Sequence, residues 1–325
     1  MRAIHGADTI YLTTGGLTGE INGMLSFKRE TQGVRFRSKI SKRLRQAPGL
    51  GPLVTVYRWQ HGPVVLDDAD QAEVITGLLE AVEERAQREG ILAIDGITLA
   101  GYADALDPGL ADLMRERGYE ATPAATFLVD LALPEDELMK ASHRSVRKNL
   151  RRCAREGVQV ERVMAAEGWR EFALLRRANH RSLGLPVPFK RRTLLHNKLL
   201  NEGEKRFMEL FMARHNGRAI AGLAVQAFNG RLTESMSVNS SYALGRRLPA
   251  QDLLRWEIMR WGKADGFHTF DLAGVAPSPQ TDKEAGIKRF KAKFGGRYVE
   301  YGTYRKVFRP FAYRLLSRLK RWREP

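Results

Sequence analysis

Two stretches of the chain follow one pattern in the same order, and this repeat constrains the fold more than any other feature. Around Leu78-Leu79, apolar residues at three- and four-residue steps (Val74, Leu78, Leu79, Val82) predict a helix over about 68–89 that Gly90 ends. Asp95 follows five residues later in AIDG. Around Leu253-Leu254 a second helix stops at Gly266, and Asp271 follows five residues later in FDLAG. Each copy runs on into a glycine-ended helix and a tyrosine-bearing strand, RERGYEA in one and FGGRYVEY in the other. One such order is common among α/β chains; two in register point to a tandem duplication. The expected architecture is mixed α/β (α+β). Its first domain covers 1–135 and its second 136–307, with a basic amphipathic tail over 308–325 and a junction at LALPEDELMKASHRS.

The remaining elements fit that frame. IYLTT, INGMLSF, VRFRSKI and LVTVYRW read as strands of the first half. A long helix is expected from Pro134 to Arg155, closed by Gly157. VQVERV, helix WREFALLRRANHRSL, a proline-containing loop, helix TLLHNKLLN and strands FMELFMAR, AIAGLAVQAF and RLTESMSVN follow. With 325 residues, 43% of them hydrophobic, and a mean hydropathy of -0.38, the chain has material for sizeable cores but is too polar for a multispanning membrane protein. No stretch has the length of a signal peptide's apolar run or a membrane span, so a cytoplasmic location is expected. The lone Cys153 excludes an intramolecular disulfide framework and a multi-cysteine zinc site.

Charge narrows the partners. Lysine and arginine number 54 against 37 acids, a net charge of +17, which favours polyanions. The densest cluster is ELMKASHRSVRKNLRRCAREG. Met139, Val146, Leu150 and Cys153 step along one face, and Arg144, Arg147, Lys148, Arg151, Arg152 and Arg155 fall largely on the other. Only Glu137 and Glu156 flank the run, so a phosphate-binding face stands beside the alternative of a solvated helix. In FRPFAYRLLSRLKRWREP an apolar side (Phe308, Phe311, Leu315, Leu319, Trp322) sits among arginines, fitting either a docked helix or one lying on an anionic membrane.

Familiar catalytic signatures are absent: the seven histidines show no metal-ligand spacing, and there is no HExxH, G-x-S-x-G, Walker loop or dinucleotide fingerprint. LGRRLPAQ lies where a phosphate-binding turn would lead into a helix, but Pro249 lacks an N–H and the surrounding glycines are missing. The most informative stretch is FDLAGVAPSPQTDKEAGIKRFKAKFGGRYVEYGTY. Here Asp271 ends a strand, Gly274 allows close backbone approach, and Ile287, Phe290 and Phe294 share one side of a short basic helix.

These residues resemble the Fem family of aminoacyltransferases, which build peptidoglycan interpeptide bridges. HGPVV at 61–65 resembles the family's GPV turn, and TFLVDL with the basic segment through GVQV resembles its RxNIRKA…GV segment. FDLAGV and GIKRFKAKFGG resemble its C-terminal signature. The resemblance spans most of the chain and implies two tandem GNAT-like domains. It also implies transfer of an amino acid from aminoacyl-tRNA to an amine of a nucleotide-linked or lipid-linked peptidoglycan precursor. Aminoacyl-tRNA is then a co-substrate, and no metal or other cofactor is expected. The family's Phe-Lys pair falls on Phe290 and Lys291, and its substrate-contacting arginine on Arg181 in ANHRSLG. Asp271 and Gly274 are further substrate-binding candidates, and Arg144, Arg147, Lys148, Arg151 and Arg152 are candidates for tRNA phosphates. The helices that usually precede the first strands are missing, so an incomplete or differently built acceptor pocket is expected. No heptad arm is present, which makes the FemX type the nearer form.

The implied chemistry suits these side chains. Cationic Lys291 would stabilise the oxyanion formed when an amine attacks the aminoacyl ester, an effect of about 3–4 kcal/mol for one well-placed donor. Phe290 would stack on the terminal adenine. Two alternatives stay open: a GNAT-type N-acyltransferase using acyl-CoA, and a non-catalytic RNA-binding paralogue. The tail adds the expectation of peripheral contact with the cytoplasmic face of the plasma membrane.

Overall fold

The computed structural model describes residues 2–6, 9–15, 21–31, 51, 54–60, 62–65, 71–98, 108–184 and 207–321. Two compact units result, one of Met1–Ala124 with Val299–Pro325 and one of Ala125–Tyr298.

The first unit is a mixed sheet whose spatial order is β1 (Arg2–Gly6), β2 (Thr9–Gly15), β3 (Ile21–Thr31), β4 (Thr55–Gln60), β6 (Ala93–Ile97) and the final strand β13 (Arg297–Val307). The two-residue β5 (Val64–Val65) pairs with β3. Among the described residues of this unit only β4 and β6 run parallel, because the helix α1 (Gln71–Arg88) carries the chain back between them. Strand alternation sends neighbouring residues to opposite faces. Tyr57, Trp59 and Ile94 pack under α1 and α2 (Pro108–Glu116), with Leu78, Leu79, Val82 and Met114. Val56 and Ala93 face the other way, onto the last described helix, α9 (Pro310–Arg321).

The second unit repeats the scheme. Its order is β7 (Glu120–Asp130, entering at Ala125), β12 (Thr269–Asp271), β11 (Arg231–Asn239), β10 (Arg218–Phe228), β9 (Met208–His215) and β8 (Gln159–Val163). Again one pair is parallel, β11 with β12, and again a helix, α7 (Ala250–Ala264), joins them. Along β9, Met208, Leu210 and Met212 pack with Trp169 and Phe172 of α5 (Ala166–Ser182). Phe211 and Ala213 turn to the opposite core, with Val146 and Cys153 of α4 (Arg144–Arg155), Leu254 and Ile258 of α7, and Phe294. The shorter helices are α3 (Glu135–Ala141), α6 (Ser241–Gly245) and α8 (Asp282–Ala292).

The duplication extends to individual residues. Asp95 on β6 accepts Arg58 from the parallel strand β4, and Asp271 on β12 accepts Arg231 from the parallel strand β11. The helix after each aspartate ends on a left-handed glycine, Gly118 and Gly295, both at φ +77°, where a side chain would be strained. Four residues before these glycines stand Met114, fully buried, and Lys291.

One expectation is corrected. The single helix over 134–155 is two, α3 and α4, because Ser142 and His143 are extended. The Ser142 hydroxyl donates to the Leu138 carbonyl (2.9 Å), closing α3, and the His143 ring accepts the Ser145 amide (3.2 Å), opening α4. The compact units change over along the chain at 124/125 and at 298/299. The 11-residue strands β7 and β13 cross from one unit into the other, and α9 packs on the first unit. Strand VRFRSKI, helix TLLHNKLLN, His61 of HGPVV and Trp322 lie outside the described residues.

Candidate active site

The site begins at the short strand β12, where the buried carboxylate of Asp271 (4% exposed) organises the turn that follows. One of its oxygens accepts the Thr126 hydroxyl (2.6 Å) and the Ala273 amide (2.8 Å); the other accepts Arg231 (2.6 Å). These bonds hold Ala273 at φ +58°, a left-handed conformation costing a non-glycine residue roughly 1–2 kcal/mol. The turn thereby aims two carbonyls at one place, and Lys291 Nζ donates to both, Ala273 at 3.0 Å and Gly274 at 3.2 Å.

Helix α8 delivers that lysine with little freedom. A capping box starts it, the Thr281 side chain taking the Glu284 amide while the Glu284 carboxylate takes the Thr281 amide. Lys288 ties the preceding loop down through the Pro277 carbonyl (2.6 Å). At the other end, a Cβ on Gly295 would stand 2.8 Å from backbone atoms of Ala141, so glycine alone permits this approach to α3. Burial lowers the Lys291 ammonium below the ordinary lysine range; Arg255 adds to the depression, and Glu234 and Asp271 oppose it.

Phe290 neighbours this lysine in sequence but is half-buried against the core. The Arg255 guanidinium lies 4.8 Å and the Lys293 ammonium 3.9 Å from its ring centre, and Phe294 meets it edge-on. Its ring is thus flanked by two cations and a second aromatic ring. Arg255 is itself held by Glu234 (2.8 Å), both almost fully buried. Lys293 pairs with Asp252 (2.7 Å), which also accepts Asn149 of α4 (2.9 Å), so one carboxylate links α4, α7 and α8.

Of the sequence candidates, Lys291, Phe290, Asp271 and Gly274 come together. Arg181 stands exposed in the last turn of α5, and among the described residues no hydrogen bond or ion pair joins it to that cluster. On α4, Arg144, Arg147, Lys148 and Arg151 are exposed without an acidic partner among the described residues, and Arg152 donates to the Arg246 carbonyl (3.1 Å). That contact continues the cationic surface onto exposed Arg246, Arg247 and Arg218, which the sequence reading missed. Arg218 and Arg246 flank the Tyr242 ring at 4.9 and 5.0 Å. Arg162, Arg214, Arg231 and Arg255, by contrast, each meet a carboxylate. The overlooked signal was the Arg-Arg pair of LGRRLPAQ, read for its amides and not for its charges.

Those amides are spent internally: Arg246 N–H on Tyr242, Arg247 on Leu244 and Leu248 on Ala243, all to carbonyls. Asp252, in the first turn of α7, is buried and already spent on Lys293 and Asn149. Cys153 is fully buried and its thiol is pushed up to about 12 by burial and by Asp252, which removes it as a nucleophile near neutral pH.

Comparison with known proteins agrees with this architecture. Residues 140–291 match the acetyltransferase (GNAT) domain family, a segment that lies inside the second unit and ends at Lys291. The crystal structure of FemX superposes with a TM-score of 0.70 at 16% identity, covering 97% of this chain and 90% of that one. The chain has the tandem GNAT fold of FemX. The L-PGS structure from Bacillus licheniformis aligns at TM-score 0.58 and 14% identity over 97% of this chain and 88% of its own. A tandem GNAT protein from the clavulanic acid biosynthesis pathway aligns at 0.53 and 14%, over 92% and 82%. At such identities the likeness concerns the fold. A comparison with curated proteins finds no match.

Proposed function

We propose that the chain is an aminoacyltransferase that moves an amino acid from aminoacyl-tRNA to an amine of a peptidoglycan precursor. The observation that carries this reading is Lys291. Its ammonium is fixed by two carbonyls of a strained turn, in the same unit as a cationic face without acidic partners among the described residues.

In the proposed step the acceptor nitrogen attacks the ester carbonyl carbon. A C–N bond forms, the bond from that carbon to the ribose oxygen breaks, and the amine proton leaves with the ribose hydroxyl, passed on within the substrates. Lys291 turns an N–H toward the oxyanion formed on the way, where one preorganised donor is worth about 3–4 kcal/mol. Asp271 and Gly274 hold it there through the turn, and Phe290 is the candidate to stack on the terminal adenine. Arg144, Arg147, Lys148, Arg151 and Arg152 track tRNA phosphates, and Arg181 meets the precursor. Ester aminolysis of this kind needs no redox or metal cofactor, and its donor places the protein in the cytoplasm.

The test is transfer of labelled amino acids from a pool of charged tRNAs to soluble and lipid-linked precursors. Product that forms with the native chain and is lost with Lys291→Ala supports the reading. Absence of transfer with every pairing, while tRNA still binds, would leave an RNA-binding protein. The GNAT match favours a second reading, acyl-CoA as donor. Against it stand the three internally bonded amides before α7, where a pyrophosphate cradle is needed. Saturable acetyl-CoA binding in calorimetry would revive it.

A further inference from the structure

Helix α9 has one face docked and one face open. Ala312, Tyr313 and Leu316 pack on Val56, Leu92 and Ala93 of the first unit, and the amides of Phe308 and Arg309 donate to the Leu92 carbonyl. Phe311 and Leu315, one turn apart, point away: Phe311 is 88% exposed and Leu315 58%. Exposed Arg309 and Arg314 flank them, and no Asp or Glu occurs between Gly302 and Arg323.

We propose that this face seats on an anionic phospholipid surface, Phe311 and Leu315 entering the boundary between headgroups and acyl chains while Arg309 and Arg314 meet lipid phosphates. Three features select that occupant. A large aromatic beside a leucine on an acid-free helix combines buried apolar area with charge attraction, the two contributions that hold interfacial helices on membranes. A second copy of the chain would bring two acid-free cationic faces together and be repelled. A nucleic acid would use the arginines but leave both apolar side chains in water. The packed inner face fixes which side chains point outward, so the helix needs no refolding to bind. The assignment is independent of the chemistry at Lys291.

The experiment is co-sedimentation of the full chain with phosphatidylglycerol–phosphatidylcholine vesicles and with phosphatidylcholine vesicles alone. The native chain pellets with the anionic vesicles, and raised salt weakens this. The double substitution Phe311→Ser/Leu315→Ser, made at exposed positions, lowers the partition coefficient by about tenfold with an unchanged thermal midpoint. Arg309→Gln/Arg314→Gln gives a comparable loss on anionic vesicles only. Any one of three results overturns the proposal: no pelleting of the native chain, equal partition of the Phe311/Leu315 variant, or equal binding to neutral vesicles. A concentration-dependent dimer dissolved by the same substitutions, without vesicle binding, would assign the face to a second copy and equally overturn it.

Discussion

The ammonium of Lys291 lies 3.0 Å from the carbonyl oxygen of Ala273, a residue held left-handed by Asp271. A lysine tethered to backbone carbonyls has lost most of its rotamer freedom before any substrate arrives, which is what an oxyanion donor requires.

Removing that donor should therefore slow chemistry and leave folding alone. Lys291→Ala is expected to lower single-turnover transfer from charged tRNA by about 10²–10³-fold. Thermal unfolding should change little. A folded variant with native rates would take Lys291 out of the mechanism.

The charge state of Lys291 gives a pH dependence. In the proposed step the active form is the cation, and burial has moved its deprotonation below the ordinary lysine range. Transfer should fall as pH rises through that lowered value, earlier than a solvated lysine with a pKa of about 10.4 would allow. In Lys291→Arg, whose side chain stays protonated, the alkaline limb should disappear from whatever activity remains. Single-turnover rates against pH for both proteins provide the check.

Thr126 tests whether the turn matters. Thr126→Val removes the hydroxyl that bonds Asp271 at 2.6 Å and should cost about 1–2 kcal/mol of stability. As a positioning residue it should depress kcat while leaving the KM for charged tRNA unchanged. Equal loss in both would indicate general loosening.

The Asp95 cluster sets an acid limit on stability. Burial alone would raise this carboxyl, but hydrogen bonds from Arg305 and Arg58 outweigh it and hold it below the usual carboxylate range. Its contribution is then complete above the unfolded value of about 3.9 and is lost as pH falls through the lower folded value. Asp95→Asn should destabilise by about 2–3 kcal/mol near neutrality, since both arginines lose their counter-ion. In unfolding experiments at stepped pH, the gap from the native chain should close in acid.

Phosphate contacts should register in the salt dependence. Arg147→Glu/Arg151→Glu on α4 and Arg246→Glu/Arg247→Glu beyond it should each weaken tRNA binding and flatten its dependence on salt by about two units of slope. Unchanged slopes in both would leave these arginines as solvent-facing charges.

The repeat was legible because it is written in local signals: glycine stops after periodic helices, each followed by an aspartate on a strand. The Phe290–Lys291 motif, too, could be read along the chain. What surrounds it could not. Arg255 and Glu234 lie on a helix and a strand, and only the packing of α7 on the sheet pairs them and brings Arg255 onto the Phe290 ring. The break before α4 was written in Ser142 and His143, both able to bond neighbouring backbone, but the strong apolar stripe on either side masked it. The course of β13 was invisible for a further reason. A linear reading assigns a strand to the domain it follows, whereas this one leaves the second unit and completes the sheet of the first.

The two left-handed glycines have a consequence for counting. Aligned on Gly118 and Gly295, the position filled by Lys291 in one half is filled in the other by Met114, a thioether sealed in the core. Duplication supplied two seats for a donor and the chain fills one. An active-site titration should accordingly saturate at a single equivalent of aminoacyl donor per polypeptide, while the first half keeps its own aspartate, Asp95, as an ion-pair hub for Arg58 and Arg305.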